Sequence, residues 1–338
     1  MRYRIVYLFA LIVAASSAAW GGPPTDPAAR PTRRQARRNA VVKALEKVGP
    51  AVVNISTEKI VVRRDPFHRF TDPFFEDAFR FPFARRVPVR SLGSGVIVDP
   101  RGYILTNEHV VRRASKITIS LPDESTYVAR RVSEVPKFDL ALLKIDADEP
   151  LPFIPLGTTE DAMIGETVIS IGNPFGYQNS VTVGVLSATD RTISHEDQAV
   201  YTDLLQTDGA INPGNSGGPL LNVLGELIGI NTAIRAKAQG IGFAIPAGRI
   251  RSLLPELFDF RRQKRIRLGM TLEEKVTEGK DHRLHYTVRV TSVDDGGPAD
   301  KAGLTRGDQI AVAEPEGLEG LTPLLATVYE SEIGDKVP

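Results

Sequence analysis

Three short segments carry side chains whose types could together perform nucleophilic chemistry. The first, Thr106-Asn107-Glu108-His109-Val110-Val111, sets a histidine just after a predicted strand (YILT) and beside apolar residues that would fix its ring. Imidazole changes protonation near neutral pH, which suits it to take a proton and return it. The second, Asp139-Leu140-Ala141-Leu142-Leu143-Lys144-Ile145, places an acid at the mouth of a strongly apolar strand. A carboxylate buried there needs a donor, and imidazole Nδ1 is one. The third runs from Asp208 to Leu220 and surrounds Ser216 with Gly214, Gly217 and Gly218. Those glycines allow a tight turn whose backbone N–H groups can hold a developing oxyanion.

Taken together, Ser216 is the candidate nucleophile, His109 its proton acceptor and Asp139 the group that orients the imidazole. His before Asp before Ser is one of the chain orders in which this triad occurs. Gly214, Asn215 and Ser216 are the expected oxyanion hole, with the N–H groups of Gly214 and Ser216 as donors. Gly214 to Gly218 also satisfies the G-x-S-x-G pattern of an α/β-hydrolase, where the serine enters a helix and the acid and histidine follow it. Here Pro219 and the strand-like GELIGIN follow, and Asp281 and His282 fall in a polar turn, so that pattern does not fit.

The elements that must position these residues are mostly strands. From Tyr103 to Ala244, β-branched runs (ITIS, DLALLKI, TVISIG, SVTVGVL, GELIGIN, GIGFAI) alternate with Gly, Pro, Asn and Asp turns, which predicts an all-β barrel or sandwich. Helical spacing appears over Val41–Val48, stopped by Gly49-Pro50, and again over Pro246–Phe258. Between Arg63 and Arg90 lie Phe67, Phe70, Phe74, Phe75, Phe79, Phe81 and Phe83, interrupted by prolines. These aromatics are either a loop over its own core or a subunit interface.

Composition bounds the function. The 338 residues exceed one average domain, and 42% hydrophobic with 25% charged residues is globular composition. A net charge of +1 gives no global field for nucleic acid or anionic lipid, and the absence of cysteine removes disulfides, thiol nucleophiles and thiolate metal sites. No phosphate cradle, metal-ligand cluster or nucleic-acid stripe is present, so no cofactor is expected; His282 and His285 read as polar hairpin residues. Arg2 and Arg4 followed by the apolar run Ile5–Ala15 and the small residues Ser17 to Ala19 predict a cleaved export signal, and hence a periplasmic or secreted protein.

The segments TNEHVV, DLALLKI and GNSGGPL resemble the histidine, aspartate and serine motifs of the trypsin-like HtrA (Deg) proteases, as do VVKALEKVGPAVVNIS and GIGFAIP. The likeness runs from Val41 to Phe258 and implies a mainly β fold, a trypsin-like double six-stranded β-barrel. It implies a serine endopeptidase degrading misfolded or unfolded envelope proteins, and assembly as a homotrimer or higher oligomer through the aromatic insertion. A chaperone or peptide-sensor role of the same fold is the alternative. In trypsin-like proteases the S1 base lies six positions before the nucleophile, here Ala210, which offers no counter-charge and implies small aliphatic P1 residues. Asn215 stands where zymogen-activated relatives carry an aspartate, so loop rearrangement replaces propeptide cleavage as the implied control. Arg191, in SATDRT, matches the family's relay arginine.

Residues 266–338 resemble a small α+β PDZ module. The Arg267-Leu268-Gly269-Met270 stretch is similar to its carboxylate-binding loop and GPADKAGLTRGDQI to its signature, which implies capture of peptide C-termini. AVAEPEGLEG departs from the usual turn, and the sequence stops before an expected final strand. The expected organisation is a signal at 1–22, a flexible basic stretch at 23–40, a protease domain at 41–258, a linker at 259–265 and a PDZ-like domain, possibly incomplete, at 266–338.

Overall fold

The structure, a computed structural model, describes residues 32–63, 85–173, 180–195, 198–212, 214–232, 240–258, 267–280, 282–310 and 319–331. The predicted export signal, the phenylalanine cluster of the insertion and the 259–265 linker lie outside the described residues. Residues up to Asn39 form a unit of their own, described from Thr32 and containing one 3-10 turn, Gln35–Arg37. The unit from Ala40 onward holds everything that follows.

α1 (Ala40–Val48) buries Ala44 and Val48 and gives way at Gly49-Pro50 to a single 3-10 turn, since proline supplies no N–H to continue an α-helix. The first sheet contains β1 (Val52–Arg63), β2 (Arg85–Asp99), β3 (Tyr103–Thr106), β4 (Lys116–Ser120), β5 (Thr126–Val128), β6 (Arg130–Val135) and β7 (Leu140–Lys144), with α2 (Glu108–Val111) after β3. Its order is β5-β4-β1-β2-β3-β7-β6, seven strands where six were expected. The two ends of that order are consecutive in the chain, separated only by Ala129, whose N–H donates to Ile117 O. One chain run therefore serves both edges, and counting it once recovers the expected number.

Every residue of β3 and of β7 is buried, which explains why YILT and LALLK read as unbroken apolar runs rather than alternating ones. The β3–β7 register pairs Tyr103 with Lys144 and Thr106 with Ala141. That pairing sends the residues just after β3 and just before β7 to the same end of the sheet. β8 (Thr167–Gly172), β9 (Ser180–His195), β10 (Gln198–Thr207), β11 (Pro219–Asn222), β12 (Leu227–Thr232) and β13 (Gly242–Pro246) close into a second barrel in the order β10-β13-β12-β11-β8-β9. Closure leaves no edge strand to be capped. α3 (Ala247–Leu257) follows and buries Ile250, Leu253, Leu254 and Leu257.

The remaining residues form a three-stranded sheet, β14 (Met270–Glu278), β15 (Leu284–Val293) and β16 (Gln309–Ile310), with α4 (Pro298–Lys301) and α5 (Leu321–Glu330). α5 is apolar nearly all round and buries Leu321, Leu324, Leu325, Ala326, Val328 and Tyr329, as a helix without a polar face must. Its Tyr329 ring lies 6.3 Å from Tyr103 of β3 and 6.2 Å from Phe258, so it shares the core of the first barrel. Arg101 ties the two together: it chelates buried Asp99, donates to Thr327 Oγ1 at 2.9 Å and to Pro323 O at 2.8 Å.

Candidate active site

His109 lies on the single turn of α2, directly after β3, and Asp139 is the last residue before β7. Asp139 adopts the left-handed conformation (φ 52°), which a short acidic side chain tolerates and which turns its carboxylate toward α2. His109 Nδ1 lies 2.9 Å from Asp139 Oδ1 and 2.8 Å from Oδ2, and the His109 backbone N–H donates to Oδ1 at 2.9 Å. Thr232 Oγ1, at the end of β12, donates to Oδ2 at 2.8 Å. The carboxylate is buried, and these donors offset the cost of removing it from water. Facing a carboxylate, Nδ1 carries the proton, which leaves Nε2 as the acceptor. The ring is 36% exposed, so that acceptor is open to a reacting group.

Ser216 belongs to the turn between β10 and β11. Its carbonyl accepts the Ser94 N–H at 2.9 Å, and the Ser94 hydroxyl donates to Gly214 O at 2.5 Å. On the other side, Gly217 N–H donates to Asn231 O at 2.9 Å, one residue from the Thr232 that holds Asp139. Gly217 (φ +82°) sits so tightly on the end of β3 that a Cβ there would lie 2.3 Å from Thr106 Oγ1 and 3.2 Å from Asn107 N. Only glycine permits that approach, and it is what brings the serine turn to the histidine segment.

Ser216 Oγ is buried without a hydrogen-bond partner among the described residues, so the Oγ–imidazole bond expected of an active triad is not formed. Such contacts are commonly long in the free enzyme and tighten around substrate. The N–H groups of Gly214 and Ser216 take no backbone acceptor among the described residues, whereas the Asn215 N–H donates to Asn212 O at 3.0 Å. Asn215 turns its side chain inward, with Nδ2 3.4 Å from Ala210 O, and thereby braces the loop.

Ala210 is exposed, and its carbonyl accepts Thr182 Oγ1 at 3.0 Å. The neighbouring Ile211 is the side chain that packs inward: a Cβ on Gly242 would come 2.5 Å from Ile211 Cγ1. Arg191 is exposed on β9, opposite Leu204 of β10. Sequence reasoning missed Thr232, Ser94 and Ile211, all small or apolar residues in ordinary strand or loop context. It also missed Asn107, whose Nδ2 donates to Asp139 O at 3.1 Å.

In the second domain, Leu268 O accepts the Ala299 N–H at 3.2 Å and Gly269 O accepts the Asp294 N–H at 2.7 Å. The Arg267–Asp294 pair at 3.6 Å is largely exposed and contributes little. Met270 opens β14, whose other edge carries no partner strand among the described residues. Among the described residues no cluster of His, Asp and Glu could hold a metal ion, and no helix is long and apolar enough to cross a membrane.

Comparison with known proteins agrees with this architecture. A family model described as a trypsin-like peptidase domain matches residues 93–230, and one described as a PDZ domain matches residues 257–322. A probable periplasmic serine endoprotease, DegP-like, of Rickettsia conorii is 39% identical over 297 residues, which is 82% of this chain and 58% of that protein. Its counterpart in Chlamydia trachomatis is 41% identical over 84% of this chain and 59% of its own length. The chain thus spans about three fifths of the length of these relatives. The putative serine protease HhoA of Synechocystis is 40% identical, with 81% of this chain and 73% of that protein covered. A solved structure of an HtrA-type protease, AlgW, with a decapeptide matches at 34% identity and a TM-score of 0.56, over 88% of this chain and 91% of that one. A chain whose seven-stranded sheet carries a His–Asp pair, whose closed barrel carries a serine turn between glycines, and whose C-terminal part matches a PDZ domain belongs to the HtrA (Deg) family of trypsin-like serine proteases.

Proposed function

We propose that this chain is a serine endopeptidase that uses Ser216 as nucleophile, His109 as general base and then acid, and Asp139 to orient and stabilise the imidazolium. One observation carries the reading: the His109 imidazole is held by both oxygens of a buried carboxylate, on a strand end against which the Ser216 turn is packed. Proton transfer from Ser216 Oγ to His109 Nε2 accompanies attack on the peptide carbonyl. The N–H groups of Gly214 and Ser216 then receive the oxyanion, each such donor contributing about 2.7–4 kcal/mol. Collapse expels the amine, protonated by His109, and water repeats the sequence to free the enzyme.

The substrates are unfolded or misfolded proteins of the cell envelope, cut after small aliphatic residues; names of relatives as periplasmic endoproteases support the compartment. The Arg267–Met270 loop and the open edge of β14 take peptide C-termini. In support, the N–H groups of Leu268 and Gly269 have no backbone acceptor among the described residues, and a relative was solved with a decapeptide. Arg191 passes that occupancy to the active-site loops, and the working assembly is a homotrimer or larger.

Turnover of fluorescent casein by the wild type and by Ser216→Ala tests the assignment. The variant should fold and lose cleavage; retention of wild-type turnover would end the assignment. An aggregation assay on Ser216→Ala separates holding of unfolded chains from cutting them.

A further inference from the structure

The residue just before His109 is a buried acid. Glu108 has a side chain only 5% exposed, and its backbone N–H donates to Asp139 O at 3.1 Å. Arg112, the first residue after α2, folds back over it: Nε lies 3.0 and 2.8 Å from the two carboxylate oxygens and a terminal nitrogen 2.7 Å from Oε2. The guanidinium is 52% exposed, so it closes the acid off from water while keeping its own solvation. Its proton is held above the usual range first by the hydrogen bond to Glu108, and Asp139 and the Tyr201 phenol add to that field. Arg112 is therefore paired with one carboxylate and lies in the field of a second.

The other ionisable groups around the Glu108–Arg112 pair and Asp139 come from three elements. Asp139 stands at the head of β7. Glu134 on β6, paired with Arg131 at 2.9 Å, has its carboxyl pushed up by burial, with Glu108 adding to the rise. Tyr201 on β10 has its phenol pushed up by burial and by Asp139, and Arg112 opposes that rise. Lys137, two residues before Asp139 in the chain, engages the Phe138 ring at 5.3 Å.

The imidazole must be neutral to accept a proton, yet must be stabilised when it becomes charged. One carboxylate, Asp139, serves the second need. A second buried negative charge one residue away would hold the imidazolium too firmly and silence the base at mildly acid pH. A four-residue helix has little stability of its own, so the i,i+4 bridge also braces the turn that carries the ring. We propose that Arg112, clamped by the buried Glu108 carboxylate, is a positioning residue that cancels that charge and sets the pH range over which His109 accepts the Ser216 proton. This rests on the triad assignment above.

The test is the pH dependence of kcat/KM on fluorescent casein for wild type, Arg112→Gln, Glu108→Gln, the double variant and Arg112→Lys, with Ser216→Ala as blank. Removing the cation should move the acid limb to higher pH, and removing the acid should move it lower. Each shift should be roughly 0.5 pH unit, the size of one charge screened by water on one side. The double variant should return close to wild type, and Arg112→Lys should preserve the limb. A brace without an electrostatic role would lower the rate in every variant with the limb fixed, and a substrate contact would change KM alone; either result overturns the proposal. If Arg112→Gln does not fold, the Glu108→Gln shift and its reversal in the double variant decide. The His109 ring titrated by NMR in a Ser216→Ala background must show the same opposite shifts, and this readout needs no turnover. Wild-type turnover no greater than that of Ser216→Ala would instead sink the triad assignment, leaving the NMR shifts to judge Arg112.

Discussion

Thr232 Oγ1 donates a 2.8 Å hydrogen bond to Asp139 Oδ2, so a carboxylate at the edge of the first barrel is held by a hydroxyl from the second. The bond fixes the relative placement of the two sheets at the point where chemistry is expected. Asp139→Asn should reverse the tautomer of His109 and lower kcat by about 10⁴. Thr232→Val removes one of several donors and should lower kcat by about tenfold through misplacement of the ring, with little change in KM. Steady-state kinetics on one peptide substrate checks both.

Gly217 and Gly303 share a φ of +82° but differ in surroundings. A Cβ on Gly217 would lie 2.2 Å from Ser94 O, whereas nothing lies within 4 Å of one on Gly303. Gly217→Ala should cost about 3 kcal/mol, backbone strain plus overpacking, and abolish cleavage. Gly303→Ala should cost about 1 kcal/mol and leave activity intact. Thermal melts and casein assays of the pair discriminate local strain from site disruption.

Ile211 rather than Ala210 presents the apolar side chain against Gly242. Shortening it by Ile211→Ala should enlarge the accepted P1 residue, favouring Leu and Phe by about tenfold over the wild-type preference. Mapping cleavage sites on an unfolded substrate by mass spectrometry reads this directly. Predominant cleavage after Lys or Arg in the wild type would contradict an uncharged pocket.

Arg251 of α3 and Glu274 of β14 form an ion pair whose side chains are 13% and 4% exposed. Arg251 also donates to Leu156 O at 3.1 Å and Gly157 O at 2.6 Å, while Glu274 accepts the Leu321 N–H. Glu274→Ala leaves a buried guanidinium without its counter-charge and the start of α5 without its acceptor, and should cost about 3–5 kcal/mol. Urea unfolding should show that loss, with the PDZ sheet becoming the first site of limited proteolysis.

Burial pushes the Tyr103 phenol well above its ordinary value, with Glu330 adding to the rise, and burial does the same for Tyr286. Both rings stay protonated in either state below about pH 10, so their full contribution to stability is present there. Above that pH the unfolded chain ionises them while the fold does not, and stability falls as pH rises, by up to about 1.4 kcal/mol per pH unit for each. Tyr103→Phe should flatten that alkaline slope in denaturant unfolding at pH 9 to 11, and an unchanged slope would contradict the assignment.

Much of the candidate site was legible in the sequence because each of its three segments is a local pattern. A histidine after an apolar strand, an acid before one and a serine among glycines each declare a backbone conformation within a few residues. Glu108 and Arg112 stand four apart, a spacing that ordinarily marks an exposed brace and drew no functional reading; only burial of the acid on the turn that carries His109 gives it another meaning. Thr232 and Ser94 carried no signal at all, since a hydroxyl at a strand end or in a loop is common and its partner here lies far along the chain.

The sequence by itself determined which residues can do chemistry, in what order, and which stretches alternate or run apolar. Only the tertiary structure decided who meets whom. It set Arg101 against Thr327 across 226 positions, buried α5 in the first barrel's core rather than in the PDZ sheet alone, and joined Asp139 to Thr232 between barrels. Periodicity records how a segment is buried, because side-chain direction repeats along the backbone; it holds no record of the partner, because closure between distant segments is chosen by the packing of the whole.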